Sequence, residues 1–328
     1  MNSFGRIFRI SIFGESHGAS VGIIIDGCPP GISLKKDDFI AELERRKSGA
    51  KGTTPRKEGD HPMILSGVFN DFTTGAPINI MFENTNTRSG DYSEFREVPR
   101  PGHADFVASK KYLGFEDYRG GGHFSARLTL GLVAAGVVAK KIIGPVQIAA
   151  TLVEAGGIAD IDKAIDKAIE ENDTIGGVIE CRASNLPIGL GEPYFDSAEA
   201  LLSHIIFSIP ATRGIEFGTG FAAARMRGSE HNDWFVDTSG KTRTNHAGGI
   251  NGGITNGNDI VFRVAIKPTS STAKTQQTMN FTTGEITDFV VKGRHDTCVA
   301  LRAPVIVEAA TAIVLADLHL LGKMYPIK

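Results

Sequence analysis

Glycine is the feature that most restricts how this chain can fold. The sequence has 39 glycines in 328 residues, against a usual share of about 7%. Many lie in clusters, at 120–122, 156–157, 248–249 and 252–253. A residue without a Cβ is needed where the backbone takes a positive φ angle or passes close to another group. The clusters therefore predict either tight turns in a β-rich protein or backbone that approaches a ligand, and the pattern alone leaves both open.

Hydrophobic periodicity predicts strands and helices that do not alternate along the chain. Strands are predicted at 8–13, 21–26, 64–69, 78–83 and 260–266, and helices at 35–47, 125–143, 160–172, 199–208 and 303–321. The helices at 125–143 and 303–321 are so rich in small apolar residues that we expect both to be buried. Because no βαβ rhythm is present, we expect an α+β fold rather than a doubly wound sheet.

Composition is that of an ordinary globular protein, with 41% hydrophobic and 22% charged residues. We see no apolar run near the ~18 residues that a membrane helix needs, and no signal-peptide pattern at the N-terminus. The net charge of −2 gives no electrostatic argument for nucleic-acid binding. The cysteines, at 28, 181 and 298, are odd in number and far apart. Their spacing predicts no metal site and favours a reducing compartment.

Four histidines are candidates for proton transfer. His17, His103, His123 and His295 each lie beside glycine or an acid–base partner in a predicted loop. The near-neutral pKa of histidine suits it to this chemistry, although a lone histidine is more often structural. No H-x-x-x-H pair or Cys/His cluster indicates a metal ligand set.

Basic residues are concentrated in two regions. The first set falls within 13 residues, at the end of the helix predicted at 35–47 and in the predicted loop that follows it, and comprises Arg45, Arg46, Lys47, Lys51, Arg56 and Lys57. Arginine forks in such a loop can bind phosphate or carboxylate oxygens in pairs, but a solvated helix end has the same composition. The second set, Arg88, Arg96, Arg100 and Arg119, is interleaved with Asp91, Glu94, Glu97 and Asp105. These mixed signs predict salt bridges for most of its members.

Two function classes remain from the residues alone. One is an enzyme that acts on a small phosphorylated and carboxylated molecule, with histidines as acid–base groups. The other is a phosphate- or nucleotide-binding module without chemistry. The segment 120–125, at the start of a predicted helix, suits an anion in both cases, whereas no G-x-G-x-x-G or P-loop pattern is present. Several potential proton donors beside the anion-binding groups favour the enzyme.

Four motifs are similar to signature motifs of the chorismate synthase family. They are GESHGASVGIIIDGCPPG at 14–31, RPGHAD at 100–105, DYRGGGHFSAR at 117–127 and GRHDTC at 293–298. The segments 83–93, 189–193, 208–218, 245–257 and 267–271 match the same pattern in the same order. The resemblance covers nearly the whole chain and implies one domain over 1–328. The implied fold is α+β with helices sandwiched between two antiparallel sheets, assembled as a homotetramer in the cytoplasm.

The resemblance also implies a reaction. Members of this family convert 5-enolpyruvylshikimate 3-phosphate to chorismate by 1,4-anti elimination of phosphate, the last common step of the shikimate pathway to aromatic amino acids. They require reduced FMN, although the reaction has no net redox change. The implied partner is this small substrate rather than a nucleic acid or a membrane. Some relatives reduce their own flavin with NAD(P)H, and the sequence does not say whether this chain does.

Residue roles follow from the same resemblance. His17 would protonate the departing phosphate, His103 would lie near flavin N1, and Asp296 would act with flavin N5 in removing the ring C6 proton. Substrate anions would be bound by Arg45, Lys51, Arg127 and Arg294. The FMN site would be lined by His123, Phe124, Ser125, Pro210, Ala211, Gly252, Lys267, Pro268, Thr269, Ser270, Ser271 and Arg294.

Two features depart from the family pattern. Lysine stands at position 51, where the family usually has arginine, so the charge is kept but the bidentate fork is lost. The segment 149–159 is also shorter than in most family members, which we expect to affect a peripheral loop or a subunit contact rather than the flavin site.

Overall fold

The computed structural model describes residues 2–54, 59–85, 89–291 and 295–323. The strands are β1 Ser3–Phe4, β2 Arg9–Gly14, β3 Ser20–Asp26, β4 Met63–Ser66, β5 Val68–Phe69, β6 Phe72–Thr73, β7 Ile78–Glu83, β8 Gln147–Ala155, β9 Gly177–Ser184, β10 Thr212–Phe217, β11 Ile250–Asn251, β12 Ile254–Thr255, β13 Ile260–Ile266, β14 Gln276–Met279 and β15 Ile286–Phe289. The α-helices are α1 Ile40–Arg46, α2 Asp105–Lys111, α3 Thr129–Ile142, α4 Ile161–Glu170, α5 Ala198–Ile206, α6 Gly228–His231 and α7 Pro304–Gly322.

Two antiparallel sheets form the outer layers of the fold. The first has the strand order β1-β2-β3-β7-β4 and the second the order β10-β13-β9-β8. In the first sheet, Ile23 of β3 lies opposite both Ile12 and Ile80. Strands β7 and β13 bury every second residue, as expected for sheets that cover a core with one face.

Helices α3 and α7 lie between the two sheets. Helix α3 packs against β3, and a Cβ at Gly131 would lie 3.1 Å from the Cβ of Ile23. Helix α7 packs against β8 of the other sheet, and the two helices pack against each other. One hydrophobic core runs through all of these layers, from Phe8 to Leu320. The expected α+β fold, with helices sandwiched between two antiparallel sheets, is confirmed.

The predicted helices and strands differ from those in the structure mainly at the residues where the helices begin. The strand predicted at 260–266 coincides with β13. The strand predicted at 64–69 is divided at Gly67, where φ is +81°, into β4 and β5. The helix predicted at 125–143 begins as a 3-10 turn, Ala126–Leu128, and becomes α-helical at Thr129. Strands β9 and β10 and the hairpin of β14 and β15 have no predicted counterpart.

Helix α7 corrects the prediction that no apolar stretch is long enough to cross a membrane. It has 19 residues and a hydropathy of 1.8, but 83% of its apolar window is buried inside the protein. The helix also carries two buried carboxylates, Glu308 and Asp317, each 3% exposed. Asp317 accepts hydrogen bonds from the backbone N–H groups of residues 6, 7 and 8 at 2.9, 2.7 and 2.9 Å. The apolar composition of α7 is thus that of a core helix packed on most sides.

Helices α3 and α7 approach most closely at Gly136. A Cβ at this position would lie 2.4 Å from the Cβ and 2.6 Å from the Cα of Ala309. We expect Gly136→Ala to lower the free energy of unfolding by about 1–2 kcal/mol, because overpacking against backbone outweighs the better helix propensity of alanine. Urea unfolding measures this difference.

Gly228→Ala is the matched control, since Gly228 is also helical and a Cβ there would meet nothing within 4 Å. An equal or smaller loss of stability for Gly136→Ala than for Gly228→Ala would contradict the close contact.

Candidate active site

A cavity of about 590 Å³ opens beside the segments that lead into α3 and follow α5 and β13. This volume is typical of a site for a small molecule or cofactor. Ten of the residues expected at a flavin site or near it line this cavity: His103, His123, Phe124, Ser125, Pro210, Ala211, Lys267, Pro268, Thr269 and Ser270. Four sequence motifs that are distant along the chain, 100–105, 117–127, 208–218 and 267–271, therefore meet at one place.

The cavity has an apolar side and a cationic, hydroxyl-bearing side. The apolar lining includes Phe4, Ile10, Ile12, Leu128, Leu132, Ile209 and Val299. The polar lining includes Arg213, Lys267, Ser125 and Ser270. A ligand that combines a planar apolar ring with a phosphate satisfies both sides, so the residues present fit a flavin mononucleotide.

The glycine-rich loop 120–122 brings the backbone close to a buried histidine. Its three φ angles are +61°, +80° and +53°. A Cβ at Gly120 would lie 2.5 Å from Cδ2 of His17 and 2.9 Å from Oγ of Ser16. All three glycines therefore have a positive φ angle, and Gly120 also lies close to His17. These are the two situations in which a residue without a Cβ is needed.

His17 lies directly behind this loop and is only 6% exposed. Its ring meets that of Tyr92 edge-on, with centroids 5.0 Å apart. Gly120, which His17 contacts, also lines the cavity. The imidazole therefore lies against backbone of the cavity lining and is shielded from bulk water.

His103 lies at the cavity wall and is held from behind by a carboxylate. Its Nδ1 is 2.6 Å from Oδ1 of Asp105. Arg100 donates to both oxygens of the same carboxylate, from Nε to Oδ2 at 2.7 Å and from Nη2 to Oδ1 at 2.8 Å. Burial opposes the ionisation of Asp105, but the hydrogen bonds from Arg100 and His103 outweigh it and hold the pKa of this carboxyl well below its usual value.

Lys267 links the loop after β13 to the loop that carries His103. Its Nζ donates to the carbonyl of Gly102 and to Oγ of Ser270, each at 2.7 Å. Burial lowers the pKa of Lys267, and the nearby charge of Arg213 lowers it further. Two cations at one end of the cavity suit a ligand with several negative charges.

His123 anchors the glycine-rich loop to β2. Its Nδ1 lies 2.8 Å from the carbonyl oxygen of Gly14, and its Nε2 lies 3.2 Å from Oδ1 of Asn2. Because a carbonyl only accepts, Nδ1 carries the proton and donates to Gly14. This bond fixes His123 beside Phe124 and Ser125 at the cavity wall.

The basic residues expected to bind substrate are held by carboxylates of the protein. Arg127 is 8% exposed, and its Nη1 donates to Asp60 at 2.9 Å. Arg45 makes a bidentate pair with Glu308, with both distances at 2.7 Å. Lys51 pairs with Asp166 at the surface, and Arg294 lies outside the described residues. Neither Arg127, Arg45 nor Lys51 is in the lining of the cavity.

The other expected site residues lie outside the cavity lining as well. Asp296 accepts the backbone N–H of Thr54 at 2.8 Å, and Arg302 Nη1 lies 3.4 Å from its second oxygen. Ser271 is buried and accepts from Arg100 Nη1 at 3.3 Å. Gly252 connects β11 and β12. Among the described residues, no group of three or more His, Cys, Asp or Glu side chains is arranged to hold a metal ion.

The comparisons with known proteins agree with this geometry. The family model described as "Chorismate synthase" matches residues 8–320. A chorismate synthase of Chitinophaga pinensis is 66% identical over 98% of this chain and 97% of its own length. One of Dehalococcoides mccartyi is 46% identical over 99% and 98%. The chain belongs to the chorismate synthase family. It is accordingly a carbon–oxygen lyase of aromatic amino-acid biosynthesis.

A crystal structure of a chorismate synthase superposes on this chain with a TM-score of 0.73 at 27% identity, covering 98% of this chain and 94% of the other. The alignment with the Dehalococcoides chorismate synthase spans 357 positions, more than the 328 residues of this chain, whereas that with the Chitinophaga enzyme spans 322. The Dehalococcoides chorismate synthase therefore carries insertions that this chain lacks. A shortened segment such as that expected at 149–159 is consistent with this difference in length.

Four residues in or behind the cavity wall had no predicted function from the sequence. Arg100 and Asp105 were expected only to form salt bridges, which they do. Arg213 and His204 line the cavity, but they lie on a strand that was not predicted and on an ordinary amphipathic helix. The proximity of Asp105 to His103 along the chain was the one signal available.

Paired glycine substitutions test the close contact in the glycine-rich loop 120–122. Gly120 and Gly252 have almost the same φ angle, +61° and +60°, so alanine at either position costs about 1 kcal/mol in backbone strain. A Cβ at Gly252 would meet nothing within 4 Å, whereas one at Gly120 would overlap His17. We expect Gly120→Ala to be less stable than Gly252→Ala by a further ~1–3 kcal/mol in urea unfolding. Equal losses for the two variants would show that His17 does not rest on Gly120.

Proposed function

We propose that this chain catalyses the 1,4-anti elimination of phosphate from 5-enolpyruvylshikimate 3-phosphate to give chorismate, with reduced FMN held in the 590 Å³ cavity. The observation that carries this proposal is the convergence of His103, the segment 120–125 and the segment 267–270 on one cavity. These segments belong to motifs by which the chain matches its family, and the match extends over nearly the full chain.

The residues around the cavity suit the cofactor that the family implies. Lys267, Arg213 and Ser270 would hold the FMN phosphate, and the apolar side formed by Phe4, Ile12 and neighbouring residues would hold the ring. Reduced FMN bound there would supply electron density for the elimination without net oxidation. The protein must therefore exclude water, bind anions and transfer protons.

His17 is the proposed donor of a proton to the departing phosphate. Its burial behind Gly120 places it in a site shielded from water, where a proton donor interacts more strongly with a developing negative charge. His103 lines the cavity, with its Nδ1 2.6 Å from Asp105. Asp296 is the proposed acceptor of the ring proton, and its carboxylate is oriented by Thr54 and Arg302.

Substrate binding by arginine requires an exchange of partners. Arg127 donates to Asp60, Asn84 and the carbonyl of Glu83, and Arg45 is paired with Glu308. An anionic substrate would compete with these carboxylates for the guanidinium groups. We retain Arg45, Lys51, Arg127 and Arg294 as proposed substrate ligands, with Gly252 and Ser271 as proposed cofactor contacts on the strength of the motif match.

The remaining properties are proposed on separate observations. The continuous core from Phe8 to Leu320 supports a single domain over 1–328. Large apolar side chains such as Phe195 and Phe115, 92% and 90% exposed, support assembly into the homotetramer. The three cysteines are buried and not paired with one another, which supports a reducing, cytoplasmic location.

Anaerobic turnover tests the proposed reaction directly. Purified protein is mixed with 5-enolpyruvylshikimate 3-phosphate and chemically reduced FMN, and chorismate absorbance and phosphate release are followed together. We expect equal amounts of both products, and none with oxidised FMN. Binding of both ligands without product would reduce the function to a binding module. A parallel reaction with oxidised FMN and NADPH shows whether the chain reduces its own flavin.

Replacement of His17 tests its role in proton transfer. We expect His17→Ala to lower turnover by about 10²–10⁴-fold, the usual contribution of a positioned general acid, with FMN binding retained. His231→Ala is the control, because His231 lies on α6 and is absent from the cavity lining. Turnover within a factor of two of wild type in His17→Ala would remove this residue from the mechanism.

A further inference from the structure

Arg100, His103 and Asp105 form a compact cluster within six residues, behind the cavity wall. The carboxylate of Asp105 is at its centre and is 9% exposed, and the side chain of Arg100 is 5% exposed. Arg100 is itself fixed by the ring of Phe95, 4.4 Å from its guanidinium carbon, and by Ser271. Arg100 and His103 thus share the carboxylate of Asp105. Breaking the pair of Arg100 and Asp105 would leave buried charges without a partner, at a large desolvation cost.

The chemistry of an ionised carboxylate determines which nitrogen of His103 carries the proton. A carboxylate only accepts hydrogen bonds, so Nδ1 of His103, 2.6 Å from Asp105, must be the donor. Arg100 Nη2 lies 3.1 Å from the same Nδ1, but two donors cannot bond to each other, and both bond to Asp105. The tautomer of neutral His103 therefore has its lone pair on Nε2.

The opposite edge of the His103 ring faces the glycine-rich loop. A Cβ at Gly121 would lie 3.3 Å from Cε1 and 3.6 Å from Nε2 of His103. Because Gly121 has no side chain, this edge is left uncovered on that side, and His103 lines the large cavity. His103, Asp105 and Gly121 together line a smaller cavity of about 90 Å³, whose charged groups are Arg96, Lys110, Glu116 and Asp117.

We propose that Asp105 is a positioning residue that fixes His103 as the Nδ1–H tautomer with Nε2 toward the glycine-rich loop, and that Arg100 fixes Asp105 in turn. His103 then meets a ligand in the cavity through one defined nitrogen, in one ring orientation. The proposal rests on the proposed function for its effect on turnover, but its structural content concerns the ligand-free protein alone.

Nuclear magnetic resonance of the ligand-free protein tests the tautomer first. In protein with ¹⁵N-labelled histidine, long-range ¹H–¹⁵N correlations distinguish the two neutral tautomers, and the signals of His103 are assigned by their loss in His103→Gln. We expect wild-type His103, when neutral, to be protonated on Nδ1. A neutral ring protonated on Nε2 would overturn the proposal without any need for a variant at Asp105.

Asp105→Asn then tests the cause. In the amide, one of the two acceptor oxygens is replaced by an NH₂ group that only donates, so the side chain cannot accept both hydrogen bonds of Arg100 together with that of His103 as the carboxylate does. We expect His103 in this variant to lose the single Nδ1–H tautomer. We expect turnover to fall by about 10–100-fold, the scale seen when the partner that orients a functional histidine is lost. An unchanged tautomer and unchanged turnover in Asp105→Asn would overturn the proposal.

Asp259→Asn is the matched control, since Asp259 also pairs with an arginine, Arg182, at 3.0 Å and is absent from the cavity lining. It should leave both the tautomer and turnover as in wild type. Loss of the Nδ1–H tautomer in this control as well would show that Asp105 has no specific role. If the wild-type protein makes no chorismate, the proposed function fails, while the tautomer of His103 still decides the positioning role of Asp105.

Discussion

The contact between α3 and α7 is the constraint on which the rest of this structure depends. The two helices touch through Gly136 and Ala309, and each covers one of the two sheets. Both helices are preceded by segments of the site, 120–125 before α3 and 296–302 before α7. Setting the distance between the helices therefore also sets the distance between these segments.

Two arginines, Arg46 and Arg302, connect the N-terminal ends of the same two helices. Arg46 donates from Nε to Thr129 at the start of α3 and from Nη2 to the carbonyl of Ala126. Arg302, just before α7, donates in turn to the carbonyl of Arg46. Because Asp296 pairs with Arg302, the network extends to a proposed catalytic carboxylate. Arg46 and Arg302 thus stabilise the segments around the site through hydrogen bonds within the protein. Lys267 and Arg213, by contrast, line the cavity.

Local pattern was enough to predict the elements that form the core. Strand β13 was recognised by its alternation, and α3 and α7 by their small apolar residues. Strand β9 was not predicted, although in GVIECRAS the buried residues Ile179, Cys181 and Ala183 alternate with Glu180 and Arg182. The motifs brought together by the family resemblance predicted ten of the residues that line the cavity.

Pairings between distant residues could not be predicted in this way. The partners of Arg127 and Arg45 are Asp60 and Glu308, separated from them by 67 and 263 positions, and no local pattern links residues so far apart. Asp317 and the backbone of residues 6–8 are the extreme case, at separations of 309 to 311. Since closing such long loops is entropically costly and slows folding, we infer a chain of high contact order. Helix α7 can complete its contacts with residues 6–8 only late in folding.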